Sequence, residues 1–190
     1  MGTTGPALLV ARAGAGFAGA DLAVLEFGRF LPWPWTEYRD VRMSARVSLL
    51  VGGTTYFVRP SVSRMEPLAT APLDAAPLVS PPRDLRVNGL AANVALAGVG
   101  TGPTLSWSPP ALGTPTSYLV RVQQLPGFAL VVSARTAGTS LRIPDGVLAP
   151  GSTYFAWVTA RLASAERLDA PLHDQFGASS ADAVTAPFTP

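Results

Sequence analysis

Apolar and polar residues alternate through the middle of the first half of this chain. Val41, Met43, Ala45, Val47, Leu49 and Val51 take every second position, with Arg42, Ser44, Arg46 and Ser48 between them. That period predicts one long strand with an apolar and a polar face. Gly52-Gly53 follows, the composition of a two-residue turn that needs positive φ. The return strand, Thr55 to Arg64, places Tyr56, Val58 and Val62 on one side. Pro60 interrupts it and offers no N–H, so an edge strand is expected. Ala7–Arg12 and Leu22–Phe27 read as two further strands, and residues 1–65 together as a small β-rich domain.

Between Glu66 and Pro82 the chain carries Pro67, Pro72, Pro77, Pro81 and Pro82. Proline fixes φ and removes donors, so residues 66–82 are expected to be an extended linker. Beyond it, turn signals separate seven short strands. They are Asp84–Val87, Thr104–Ser108, Ser117–Gln123, Phe128–Ser133, Thr139–Ile143, Tyr154–Arg161 and Asp182–Phe188. Seven such strands at this spacing indicate an all-β fold, a β-sandwich over residues 83–190.

The most specific stretch is Leu148-Ala149-Pro150-Gly151-Ser152-Thr153-Tyr154, a Pro-Gly turn that opens a strand on Tyr. It falls in order with Pro81-Pro82-x-x-Leu85-x-Val87, Leu105-x-Trp107-x-Pro109-Pro110, Tyr118-x-Val120-x-Val122 and Leu141-x-Ile143. In that order the second half resembles a fibronectin type III domain, an immunoglobulin-like β-sandwich. The resemblance implies that Trp107 is a core residue. It also implies that Tyr154 forms a tyrosine corner, its hydroxyl tied to nearby backbone. Two segments, Leu90–Gly102 and Leu162–Ser180, are longer than the family's usual connections. Most members of that family are non-enzymatic, and the resemblance implies a secreted, periplasmic or cell-surface setting.

Composition narrows the function classes. With 190 residues and a 48% apolar share, the chain can bury a core. Its 19 prolines and 18 glycines suit short strands and argue against long helices. The 14 basic residues are all arginine, which with the abundant alanine reads as the codon usage of a GC-rich genome. They are scattered and the net charge is only +2, so no nucleic-acid partner is expected. No cysteine is present, which excludes disulfides and thiolate chemistry. No apolar run reaches the length of a transmembrane segment. Arg12 follows the apolar stretch Ala7–Val10 rather than preceding it, so no signal sequence is expected in this chain.

Catalytic or metal-binding chemistry finds little footing. His173, beside Asp174 and near Ser179 and Ser180, sits in one loop without a scaffold to orient a triad. Asp169, Asp174 and Asp182 are too dispersed for a calcium loop. Glu26, Glu37 and Asp40 have no matched partner for paired-carboxylate hydrolysis. Gly14-x-Gly16-x-x-Gly19 leads into a strand-like run with no βαβ unit, so it is no phosphate loop. No enzyme, cofactor or metal is expected.

Two surfaces remain. Trp33, Trp35 and Tyr38 lie in a proline-stiffened aromatic loop that could stack on a glycan or peptide. The alternative is that these rings fill a domain interface. In the strand from Tyr154, alternation places Phe155 and Trp157 on the outer sheet face, beside Leu119 and Arg121 of the neighbouring strand. Such an apolar patch marks a contact with the N-terminal domain, a protein partner or a second copy. The expected function is a non-catalytic structural or protein-binding module of a bacterial cell-envelope or secreted assembly, with a carbohydrate-binding accessory module as the alternative.

Overall fold

Gly52 and Gly53 take φ of +54° and +80°, closing the turn that the alternation predicts. The hairpin on either side of it is longer and more contorted than one flat ribbon. The computed structural model describes residues 38–67, 76–163 and 179–190, all within one compact unit, Pro34–Pro190. Its first strands are β1 (Tyr38–Ser44), β2 (Val47–Val51), β3 (Thr54–Val58) and β4 (Ser61–Pro67). β1 pairs with β4 and β2 with β3, both antiparallel. The register runs unbroken from Tyr38↔Pro67 through Ser44↔Ser61 to Val51↔Thr54. At the interruption, the Ala45 amide donates to the Pro60 carbonyl at 3.0 Å. One ribbon therefore twists at Ala45–Arg46 and Arg59–Pro60, and two-stranded ribbons twist more than sheets do.

The second half supplies β5 (Arg83–Val87), β6 (Leu90–Ala91), β7 (Thr104–Ser108), β8 (Ser117–Leu125), β9 (Ala129–Thr136), β10 (Ser140–Arg142), β11 (Thr153–Leu162) and β12 (Ser179–Val184). The smaller sheet has the order β10-β7-β5-β6. The larger has the order β1-β4-β12-β11-β8-β9. Without β1, β4 and β6, this is a seven-strand Greek-key sandwich. The described residues are all-β and their fold is a fibronectin type III-like, immunoglobulin-like β-sandwich. No helix among the described residues is long and apolar enough to cross a membrane.

Alternation builds the core between the sheets. Val120 and Val122 of β8 and Tyr154, Ala156, Val158 and Ala160 of β11 point inward and are buried. Val87, Leu105, Trp107, Ile143 and Leu148 meet them from the smaller sheet and its loops. Fully burying a side chain of the Val or Leu type is worth about 1.5–3 kcal/mol. Trp107 lies edge-on to Tyr118, ring centroids 5.3 Å apart. Burial pushes the Tyr118 hydroxyl above its ordinary pKa, partly offset by the Trp107 side chain. The Ala149 amide donates to Tyr154 Oη at 2.9 Å, and Gly151 between them takes φ of +75°. This is the tyrosine corner.

Three expectations meet a different arrangement. The division expected at residues 66–82 is not where the described chain separates, because residues 38–67 belong to the sandwich. β4 pairs with β12 through Ser180↔Ser63 and Ala181↔Val62, and Val62 packs on the main core. The return strand is accordingly an edge only in its first part, β3, which pairs with β2 alone, and not in its second part, β4. β4 lies between β1 and β12, and Pro60 falls in the twist just before it, where no ladder donor is required. The Ala/Gly-rich segment Leu90–Gly102 is not a plain connection either. It contributes β6, the buried Ala92 and Val99, and a bridge from Leu96 to Phe188.

Candidate functional site

The outer face of the large sheet starts from the alternation in β11. With Tyr154 inward, Phe155, Trp157, Thr159 and Arg161 turn outward. Their partners on β8 are Gln123, Arg121, Leu119 and Ser117. Their partners on β12 begin with Val184 opposite Trp157 and Asp182 opposite Thr159. The Trp157 indole N–H donates to Gln123 Oε1 at 2.8 Å, and the Arg121 guanidinium lies 5.4 Å from the indole centroid. Indole and guanidinium so placed attract through the ring quadrupole.

This face is not open at its apolar end. Phe155 is 0% exposed, which leaves it unavailable to a separate partner while the hairpin lies on it. It shares a second buried cluster with Leu125 of β8, Leu49 of β2 and Val58 of β3, and Val47, Val51, Tyr56 and Trp157 pack around it. The upper half of the hairpin, Val47–Val58, lies over β11 and β8. The aromatic rings form a chain across the join: Tyr56 to Phe128 at 6.2 Å, Phe128 to Phe155 at 6.0 Å, Phe155 to Trp157 at 6.2 Å. One apolar hairpin face thus serves both layers, with Val62 on the main core and Leu49 and Val58 on Phe155.

A polar set fixes the hairpin where it leaves the sheet. Asp182 Oδ2 accepts from the Ser61 amide and the Ser61 hydroxyl, each at 3.0 Å. Asp182 Oδ1 accepts from the Thr159 hydroxyl at 2.7 Å. Ser63 Oγ and Ser180 Oγ are 2.8 Å apart. Both oxygens of Asp182 are therefore engaged inside the sheet. Farther along, Glu66 binds Arg39 across the β1–β4 pair and Arg64 on its own strand. Desolvation works against the Glu66 charge, yet hydrogen bonds and attraction from both guanidinium groups outweigh it. The carboxyl is held below its ordinary 4.5.

What the hairpin presents outward is also apolar. Leu50 is 63% exposed and Phe57 46%. They stand diagonally across the ladder, since Leu50 pairs with Thr55 and Phe57 with Ser48. Arg46 stacks on the Phe57 ring at 3.4 Å, and Arg59 is exposed beside it. Sequence reasoning placed neither Leu50 nor Phe57 in a site. Their positions alternate with the buried ones, and Leu50 follows Arg42, Ser44, Arg46 and Ser48 on the face that the alternation marks as polar.

The structure brings Leu119, Arg121, Phe155 and Trp157 onto one face, as the alternation requires. It does not bring Trp33 and Trp35 into view, because they lie outside the described residues, as do His173, Asp169 and Asp174. Tyr38 is the first residue of β1, opposite Pro67.

No protein-family model matches the chain, and no curated protein matches it. Among solved structures, it is similar to the twitchin kinase region from C. elegans, with 22% identity over 60% of this chain and a TM-score of 0.40. It is similar to titin kinase and its flanking domains, with 18% identity over 60% of this chain and a TM-score of 0.35. The chain spans 17% of each of those two. A third is the rat CD45 extracellular region, domains d3–d4, with 11% identity over 97% of this chain and 83% of that one, at a TM-score of 0.34. The fold rests on this chain's own strand order and on its Tyr154 corner.

Proposed function

We propose that this chain is a non-catalytic protein-binding module of a bacterial cell-envelope or secreted assembly, and that it binds through the outer face of its hairpin. The observation that carries the reading is the exposure of Leu50 and Phe57 as diagonal neighbours on one face of the hairpin. Both are large apolar side chains left in solvent on a ribbon whose opposite face is already buried. Apolar residues exposed side by side with a polar rim mark interaction sites. Arg46 and Arg59 form that rim, and the segment from Arg46 to Arg59 contains no carboxylate. The partner surface that fits has an apolar centre and an acidic border. The non-catalytic reading is supported by the side chains themselves, since Asp182, Ser61 and Thr159 spend their polar atoms on one another. The extracellular setting is supported by the sandwich fold alone.

The test compares the wild-type chain with a Leu50→Ser, Phe57→Ser double variant as bait in extracts of its source cells. Both must first show the same melting temperature. Proteins held by the wild type and lost from the variant support the reading. Identical retention by both baits contradicts it.

A further inference from the structure

We propose that two copies of this chain exchange the hairpin Val47–Val58, each copy's hairpin covering Phe155 of the other.

Four observations carry this. First, among the described residues β2 and β3 form a sheet of their own and hydrogen-bond to no other strand. Side-chain contact alone holds them on the body, through the cluster Leu49, Val58, Leu125 and Phe155. Second, the register of the ribbon is continuous across the twist. Untwisting Ala45–Arg46 and Arg59–Pro60 therefore swings the hairpin away without breaking one rung of its ladder. Third, the apolar alternation from Val41 to Val51 also runs straight through the twist. The sequence thus favours an extended ribbon as well as the folded-back one. Fourth, lifting the hairpin bares Phe155 and Leu125, which are 0% and 3% exposed when covered. A surface that apolar is quickly re-covered, and the occupant known to fit it is this hairpin. In a second copy the same hairpin is offered at the same hinge.

An exchange of this kind is isologous: each copy gives one hairpin and receives one, and the pair closes. Every contact of the covered face is regained between copies. The balance between monomer and dimer then depends on the hinge and on protein concentration. Short hinges under strain favour exchange. Asp182 acts against it, because its bonds to Ser61 hold the ribbon on β12 next to the hinge.

The absence of native cysteine makes the test direct. Tyr56→Cys and Phe128→Cys place one thiol on the hairpin and one on the body, at rings now 6.2 Å apart. The chain is refolded at high concentration, monomer and dimer are separated by size, and each is treated with a short bismaleimide. Exchange requires that the dimer cross-link between chains, running at twice the mass on a denaturing gel, while the monomer cross-links within itself. A dimer that cross-links only within each chain overturns the proposal, as does a chain that stays monomeric at every concentration. Should the double variant misfold, the wild type refolded alone and with Asp182→Ala supplies the second reading. Loss of the Ser61 bonds is expected to raise the dimer fraction several-fold, and no change would overturn the exchange.

Discussion

Ser61 gives both its backbone amide and its hydroxyl to a single oxygen of Asp182, each at 3.0 Å, one residue after the ribbon's twist at Pro60. That pair fixes where the hairpin stops being part of the large sheet and starts being its cover. Replacing Asp182 with Ala strips partners from Ser61 and Thr159 together. The expected cost is about 1–3 kcal/mol, the range for leaving half-buried polar groups unmet. Hydrogen exchange would show it first as faster exchange of the β2 and β3 amides, with the β8 and β11 amides little changed. A uniform loss of protection across the sandwich would mean that Asp182 acts elsewhere.

Phe155 is the floor on which the hairpin rests. Phe155→Ala leaves a hole beneath Leu49 and Val58 and is expected to cost about 3–5 kcal/mol. The same substitution at Phe57, on the solvent side of the hairpin, is expected to stay within about 1 kcal/mol. Urea denaturation of the two variants measures both. Similar losses at the two sites would show that the hairpin's buried and exposed faces are wrongly assigned.

Tyr154→Phe removes only the oxygen that accepts the Ala149 amide. The expected loss is about 1–3 kcal/mol without a change of fold, because the ring still packs against Phe188 in the core. A melting curve, with the far-ultraviolet spectrum as control, tests it. This corner was legible in the sequence because all its parts lie within Leu148–Tyr154. The hairpin's register was legible for a similar reason, since period two and Gly52-Gly53 are local signals. The cover over Phe155 was not. Alternation says which side of β11 Phe155 takes, but its cover comes from Leu49 and Val58, roughly a hundred residues earlier in the chain. Nor could Pro60 alone distinguish an edge strand from a twist between strands. Both satisfy a residue without an N–H, and only the pairing of Ser63 with Ser180 decides between them.

Acid should weaken the β1–β4 pair through Glu66. Its native carboxyl lies below the ordinary 4.5, so its ion pairs contribute stability above that pH. The contribution is lost as the pH falls from about 4.5 through the lower native value. Glu66→Gln removes this dependence. The gap in melting temperature between wild type and variant is expected to be constant near neutrality and to shrink as the pH falls below 4.5. A gap that stays the same at pH 3 would show that the Arg39 and Arg64 contacts do not depend on the charge.

Gly113 stands where the segment before β5 crosses the loop before β8. A Cβ there would lie 2.2 Å from the Leu78 carbonyl oxygen, and φ is +77°. Gly113→Ala is therefore strained twice, by backbone conformation and by collision with main chain. It is expected to lower stability by more than the 1 kcal/mol or so that separates Gly from Ala in unstrained positions. The bonds between Ser80 and Leu112 beside it would loosen, which amide exchange at those two residues reports.

The hairpin packs on the body of the sandwich, and the contact between Tyr56 and Phe128 joins the two most openly. A double-mutant cycle with Tyr56→Ala and Phe128→Ala, read by denaturant unfolding, measures that contact alone. A coupling of about 0.5–1.5 kcal/mol is expected for an edge-on aromatic pair. Strict additivity would show that the two rings do not meet and that the outer face of β11 is uncovered.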